Sequence, residues 1–373
     1  MNKISLQKIF HYAIGGLFFV MIVAGLGSSL SKIVTGGQTD RLRIYEIPQQ
    51  TISFSTSTVL FVGDVMLDRA VRNRHTAFGG KFPFTHTADF IASFDLAIAN
   101  LEGPITTYPS KTVDYSNKTL QFTFPPESAE HLVQAGFDIV SIANNHGLDF
   151  GSEGIRQTLQ FASSSGLIVY GDPRNDRNIS YSTQLANGAQ LSVIGFHQFA
   201  GNYAKVAEEI ARIHAETKGE AIIIVTPHWG EEYQTEPTNF QRTMAERWIN
   251  LGADMVIGHH PHVIQIKEEI VGKPVYYSLG NFVFDQDFSV QTQTGLGLGI
   301  SIVCKHTYIE GDTQHQIEQT SANSGIKGEK HCFIPPRQAG GIQEYVFSIV
   351  KSEPRIISGS AVPAFVEKLL DES

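Results

Sequence analysis

Strands that alternate with helices from residue 58 to 278 predict an α/β protein with largely parallel sheets covered by helices. Three observations carry that reading. Short apolar runs recur at 58–62 (TVLFV), 96–99, 138–142, 167–170, 190–195, 221–226 (AIIIVT), 255–257 and 275–278. Stretches with helical character separate them at 88–94, 126–135, 152–164, 204–218 and 239–250. Polar residues cluster directly after the strands, where parallel sheets gather ligands at one shared edge.

The chain has 373 residues and only 17% charged side chains, enough for a large core. Its net charge of −9 and lack of any basic run argue against nucleic acid as a partner. Residues 9–31 carry no Asp, Glu, Lys or Arg, and Lys3 and Lys8 precede them. A run of that length can span a bilayer as a helix. It predicts residues 1–8 as a cytoplasmic leader and 9–31 as an uncleaved transmembrane anchor, with a cleaved signal sequence as the alternative. Residues 32–57 read as linker and lead-in, 58–350 as the functional domain, and 351–373 as a tail with a short helix at 364–370. Residues 108–121 read as an exposed loop over the site, and 321–338 as loop. Cys304 and Cys332 exclude a cysteine-rich zinc site, and leave open either one disulfide or two unpaired thiols.

The strand ends deliver a specific set of side chains. The first ends at Gly63-Asp64, followed by Asp68 and Arg69; the second at Asn100 and Glu102; the third at Asn144, Asn145 and His146. The strand at 221–226 leads to His228, Trp229, Gly230, Glu231, Glu232 and Tyr233. The strand at 255–257 ends at Gly258 and delivers His259, His260 and His262, and the last delivers Gly280-Asn281 and Asp285. Imidazoles and carboxylates without thiolates suit Mn²⁺, Zn²⁺ or Fe. Asp64, Glu102, Asn145, His228, His260 and His262 are therefore the candidate metal ligands, enough for two ions bridged by a carboxylate. His146 is the candidate proton donor, and Asp68, Asn100, His259 and Asn281 are possible further site residues. Trp229 reads as packing, Asp149 and Asp285 as carboxylates that fix loops, and His197 as peripheral.

Six segments, GDVMLDR (63–69), NLEGPIT (100–106), ANNHGLDFG (143–151), HWGEEY (228–233), GADMVIGHHPHV (252–263) and YSLGNFVFD (277–285), resemble the capsule-synthesis CapA family, whose members act in poly-γ-glutamate synthesis. The resemblance implies a calcineurin-like metallophosphoesterase fold of two β-sheets flanked by helices, and an extracytoplasmic domain on the N-terminal anchor. It implies ligand roles for Asp64, Glu102, Asn145, His228, His260 and His262. One departure is Met66, which stands where that superfamily carries a ligating histidine; Asp68 or Asn100 are the nearby stand-ins. Two functions follow as expectations. One is a metal-dependent hydrolase of phosphoesters or related bonds in envelope polymer metabolism, acting on the polymer or on a small phosphorylated substrate. The other is a non-catalytic partner that binds an anionic polymer or a polymer synthase subunit.

Overall fold

The computed structural model describes residues 50–79, 82–112, 120–309, 327–357 and 364–371. The expected anchor at 9–31, most of the linker, and residues 113–119 of the expected loop lie outside them. Among the described residues no helix is long and apolar enough to cross a membrane.

In chain order the elements are β1 (Gln50–Val65), α1 (Arg69–Phe78), α2 (Ala88–Ile91), β2 (Leu96–Leu101), α3 (Ser128–Gln134), β3 (Ile139–Ser141), α4 (Gly151–Ser165), β4 (Ile168–Tyr170), β5 (Ser180–Gln184) and β6 (Gln190–His197). There follow α5 (Lys205–Thr217), β7 (Ile222–His228), α6 (Asn239–Asn250), β8 (Met255–Ile257), β9 (Lys267–Ile270), β10 (Lys273–Tyr276), β11 (Asn281–Val283), β12 (Thr294–Ile309), β13 (Lys327–Phe333), β14 (Ile342–Val350), β15 (Glu353–Ile356) and α7 (Ala364–Asp371). The described residues divide into two compact units, a smaller one of 50–56 with 303–309 and 327–333, and a larger one of the described residues within 57–302 and 334–371.

The larger unit is mixed α/β with two sheets. One has the order β15-β14-β12-β1-β2-β3-β4 with β11 beside β1, and the other runs β5-β6-β7-β8-β10-β9. Pairs among β1, β2, β3, β4 and β11 are parallel, as are β6-β7, β7-β8 and β8-β10. The remaining pairs, β12-β14, β14-β15, β5-β6 and β9-β10, are antiparallel and finish the edges. Central strands carry apolar runs because both of their faces are covered; β7 is buried at every position. Each sheet has its own core. Leu60, Val62, Ile91, Leu132 and Phe282 belong to one, and Ile194, Ile223, Val225, Trp229 and Trp248 to the other. Trp229 is stacked on Trp248 at 5.4 Å and donates its ring N–H to the Tyr277 carbonyl, so it packs the core beneath the site.

Helix α6 shows how local sequence sets an element. Thr238 accepts from the Gln241 backbone while the Gln241 side chain accepts from the Thr238 backbone, a reciprocal pair that satisfies two free donors at the helix start. In the smaller unit, β13 lies antiparallel to the far half of β12, and Cys304 and Cys332, directly opposite one another, form a disulfide. Residues 327–333 of the segment expected as loop are therefore strand.

Candidate functional site

Parallel strands place their carboxyl ends side by side, and the site grows from that geometry. Asp64 pairs in register with Asn100 on β2 and with Asn281 on β11. His228 ends β7 and bridges His259, just past β8. Glycines let these strand ends close up: a Cβ on Gly63 would stand 2.0 Å from the Gly280 carbonyl oxygen, and one on Gly258 2.0 Å from that of Tyr277.

Two groups of ligand atoms result. Asp64, Glu102 and His228, all buried, bring one atom each within 4.8 Å of one another; so do Glu232, His260 and His262, with Glu232 exposed. A web of amides orients them. Asn100 donates to Asp64 at 2.8 Å, and Asn144 donates to the Asn100 side chain at 3.0 Å and to the Leu101 carbonyl at 2.9 Å. His228 Nε2 meets Asn145 Oδ1 at 2.8 Å. His262 Nδ1 lies 3.0 Å from Asn281 Oδ1 and 3.3 Å from Asp64 Oδ2, and its Nε2 faces Glu102 at 3.5 Å.

The test of fit to a metal lies in the atoms left over. Both Glu102 oxygens and His260 Nδ1 are buried without a hydrogen-bond partner. Burying an unpaired carboxylate is expensive unless a cation meets it. The backbone is strained at the same place, with φ of +100° at His260 and +59° at His262. Carboxylates, imidazoles and amides aimed inward, with unpaired acceptors, form a donor set for a divalent cation.

Protonation follows the same charges. Burial opposes a charge on His262, but Glu102 and Asp64 override it and raise its pKa to about 9. Burial and the neighbouring His262 lower His260 to about 3, and burial with the surrounding histidines holds His228 well below its ordinary value. Burial drives Glu102 well above the usual carboxylate range, whereas the histidines and Asn100 outweigh burial at Asp64 and lower it.

His146 stands beside this cluster. Its Nδ1 is 2.7 Å from Asp149 Oδ2 and its ring lies 4.1 Å from Phe122. Asp149 also accepts from the Phe122 amide at 2.6 Å. Two further candidates spend their polar atoms on other partners. Asp68 accepts from Arg72, Ser110 and the Thr123 amide, so it anchors α1 and the loop beneath. His259 points its Nε2 at the Val62 carbonyl at 3.2 Å, bracing β1 against the turn. Asn100 and Asn281 orient neighbouring ligands. Sequence reasoning did not single out Glu232, since nothing separates it from its neighbour Glu231 before the turn is known. Arg69 was equally unmarked; it is buried against Phe122 and Phe284, pairs with Asp285, and its charge reaches Glu102.

The profile of the bacterial capsule synthesis protein family PGA_cap matches residues 58–286, which include every residue of both ligand groups. The chain belongs to that family. It is 30% identical over 251 residues to the capsule biosynthesis protein CapA of Bacillus anthracis, covering 62% of this chain and 61% of that one. It is 30% identical over 254 residues to the PGA biosynthesis protein CapA of Bacillus subtilis (strain 168), covering 64% and 66%. A probable polyglutamine synthesis accessory protein of Mycobacterium tuberculosis matches at 27% over 222 residues, 52% of this chain and 56% of that one. The match thus spans somewhat less than two thirds of these relatives' own length. The crystal structure of TT1561 of Thermus thermophilus overlays with a TM-score of 0.35 at 12% identity, covering 65% of this chain and 94% of that one, too loosely to carry an argument.

Proposed function

We propose that this PGA_cap-family chain is a membrane-anchored, extracytoplasmic, metal-dependent hydrolase of phosphoesters or related bonds that serves synthesis of a capsule-type anionic polymer. One observation carries the reading: two adjoining triads of ligand atoms in which both buried Glu102 oxygens and His260 Nδ1 have no hydrogen-bond partner. Asp64, Glu102 and His228 would hold one cation, and Glu232, His260 and His262 a second, with Asn145 beside His228. Bound cations there supply Lewis acidity toward a phosphate oxygen and lower the pKa of water. The chain's own residues do the rest. Asn281 and Asn100 fix the tilt of His262 and Asp64. Arg69 adds positive charge toward Glu102 from beneath. His146, steadied by Asp149, holds a proton for the departing oxygen.

The relatives' names support a place in polymer synthesis, with synthase subunits as partners. A calcineurin-like sandwich agrees with the two sheets and the strand-end site. The Cys304–Cys332 disulfide favours an oxidising compartment, as an exported domain requires, and residues 9–31 supply the anchor on the sequence reading. The alternative is a non-catalytic polymer-binding role, favoured by the word "accessory" in a relative's name.

Metal analysis of the full chain in detergent, beside a His260→Ala/His262→Ala double variant, separates the two. Two ions per chain, reduced in the variant, and turnover of an aryl phosphate that chelator stops and Mn²⁺ or Zn²⁺ restores are expected. A chain that holds no ion after purification with Mn²⁺ present, yet binds poly-γ-glutamate, sinks the hydrolase reading.

A further inference from the structure

An aromatic wall leads into the candidate site. Phe199, on the turn after β6, lies 5.0 Å from the His260 ring. His260 is 5.9 Å from His262, which is 6.2 Å from Tyr233. Tyr233 in turn meets Phe288, past β11, at 5.2 Å. Phe199, Tyr233 and Phe288 are 54%, 42% and 58% exposed, so large rings that could pack inward instead face solvent beside the ligands. Three separate loops contribute them, so no single turn accounts for their exposure.

Exposed rings at a site bind something with a complementary surface. Their faces are electron-rich and attract polarised C–H edges rather than anions. The adjacent rim carries exposed Glu231 and Asp287, together with Gln234. Such a rim repels a chain bearing one carboxylate per residue and accepts hydrogen bonds from hydroxyl groups. A pyranose, with apolar C–H faces and hydroxyls around its edge, satisfies both the rings and the acids.

We infer that the substrate is a phosphoester whose alcohol side is a sugar ring, and not a run of a γ-linked glutamate polymer. This assignment rests on the hydrolase reading above. The sugar lies against the rim formed by Phe199, Tyr233 and Phe288 and places its phosphate toward His260 and His262. Water attacks phosphorus and gives up a proton to solvent, the P–O bond to the sugar breaks, and His146 gives its proton to the sugar oxygen and is reprotonated from solvent. The products are inorganic phosphate and the free sugar.

The test compares N-acetylglucosamine 1-phosphate with glycerol 1-phosphate on the full, Zn²⁺-loaded chain, beside Phe199→Ala and Phe288→Ala variants. Saturation-transfer NMR with free N-acetylglucosamine, and separately with poly-γ-glutamate, reports ligand contact without turnover. We expect kcat/KM to favour the sugar phosphate at least tenfold, and each variant to cut that preference at least threefold through KM with metal content unchanged. Transfer to the pyranose C–H protons is expected in the parent and lost in a Phe199→Ala/Phe288→Ala double variant. Equal kcat/KM for the two phosphates, a preference that survives both substitutions, or NMR transfer only to poly-γ-glutamate overturns the sugar assignment and leaves the hydrolase standing. A metal-loaded chain that hydrolyses neither phosphate and shows no transfer overturns both.

Discussion

Asn281 and Asp68 are both buried polar residues near strand ends, and their neighbours give them opposite predicted roles. Asn281 uses its oxygen on His262 Nδ1 and its amide on Gln286 and the Thr292 carbonyl, each at 3.0 Å. Those two donor bonds fix which way the amide faces, and therefore which imidazole nitrogen looks toward Glu102. Outer partners of this kind set ligand affinity by about 10–100-fold. Asn281→Ala is expected to weaken Zn²⁺ binding by that factor, as read by competition with a chromogenic chelator. Asp68 instead ties Arg72, Ser110 and Thr123 together. Asp68→Ala leaves those donors unpaired and should cost about 1–3 kcal/mol in denaturant unfolding with the metal count intact. If Asp68→Ala empties the site while Asn281→Ala does not, the two roles are reversed.

Gly258 fixes how closely a strand end can approach its neighbour. It ends β8 and starts the turn that carries all three histidines, and an added methyl would meet the Tyr277 carbonyl at 2.0 Å and the Trp229 ring nitrogen at 2.5 Å. Neither neighbour can yield, since one belongs to the backbone and the other is fully buried between Trp248 and Tyr277. Gly258→Ala should cost about 1–3 kcal/mol and weaken metal binding too, because relief comes by moving the turn. A variant with unchanged melting and metal content would show that the strand end is loosely packed. The same element shows what the sequence made legible. Buried strands such as β7 and β8 stand out as apolar runs, and α6 announces itself by Thr238. Edge strands do not: β5 (SYSTQ) and β9 (KEEI) each pair with a single neighbour and have no core to face on both sides, so they carry no apolar run. β1 begins at Gln50, well ahead of its apolar stretch, and residues 51–56 there are exposed or half-buried. At the site, strand ends identified Asp64, Glu102, His228, His260 and His262, yet residue type alone did not distinguish Asp64 from Asp68, His260 from His259, or Glu232 from Glu231. Only the direction of each side chain separates those pairs, and that is set by tertiary packing.

The site's charges also reach the stability of the whole molecule. His260 is lowered from 6.5 to about 3, so below pH 6.5 the unfolded chain takes up a proton that the folded chain refuses. His75, His197, His228 and His259 are lowered in the same direction, chiefly by burial, and add to the loss as pH falls. His262 has the opposite sign. Its rise from 6.5 to about 9 gives stability that is complete below pH 6.5 and disappears as pH climbs through 9. Glu102, raised by burial, acts in the same sense as His262 from the acid side; one carboxyl does not offset five histidines. The metal-free protein should therefore melt highest near pH 6.5 to 7, with its melting temperature declining on both sides. A divalent cation takes the place of the His262 proton, so added Zn²⁺ should raise the alkaline limb most and leave the acid limb nearly where it was. The measurement is a set of melting curves from pH 4.5 to 9.5 in chelator and in Zn²⁺. A chelated protein that gains stability steadily from pH 7 to 9 would mean that His262 does not share a proton with Glu102 and Asp64, and the electrostatic account of the site would fail with it.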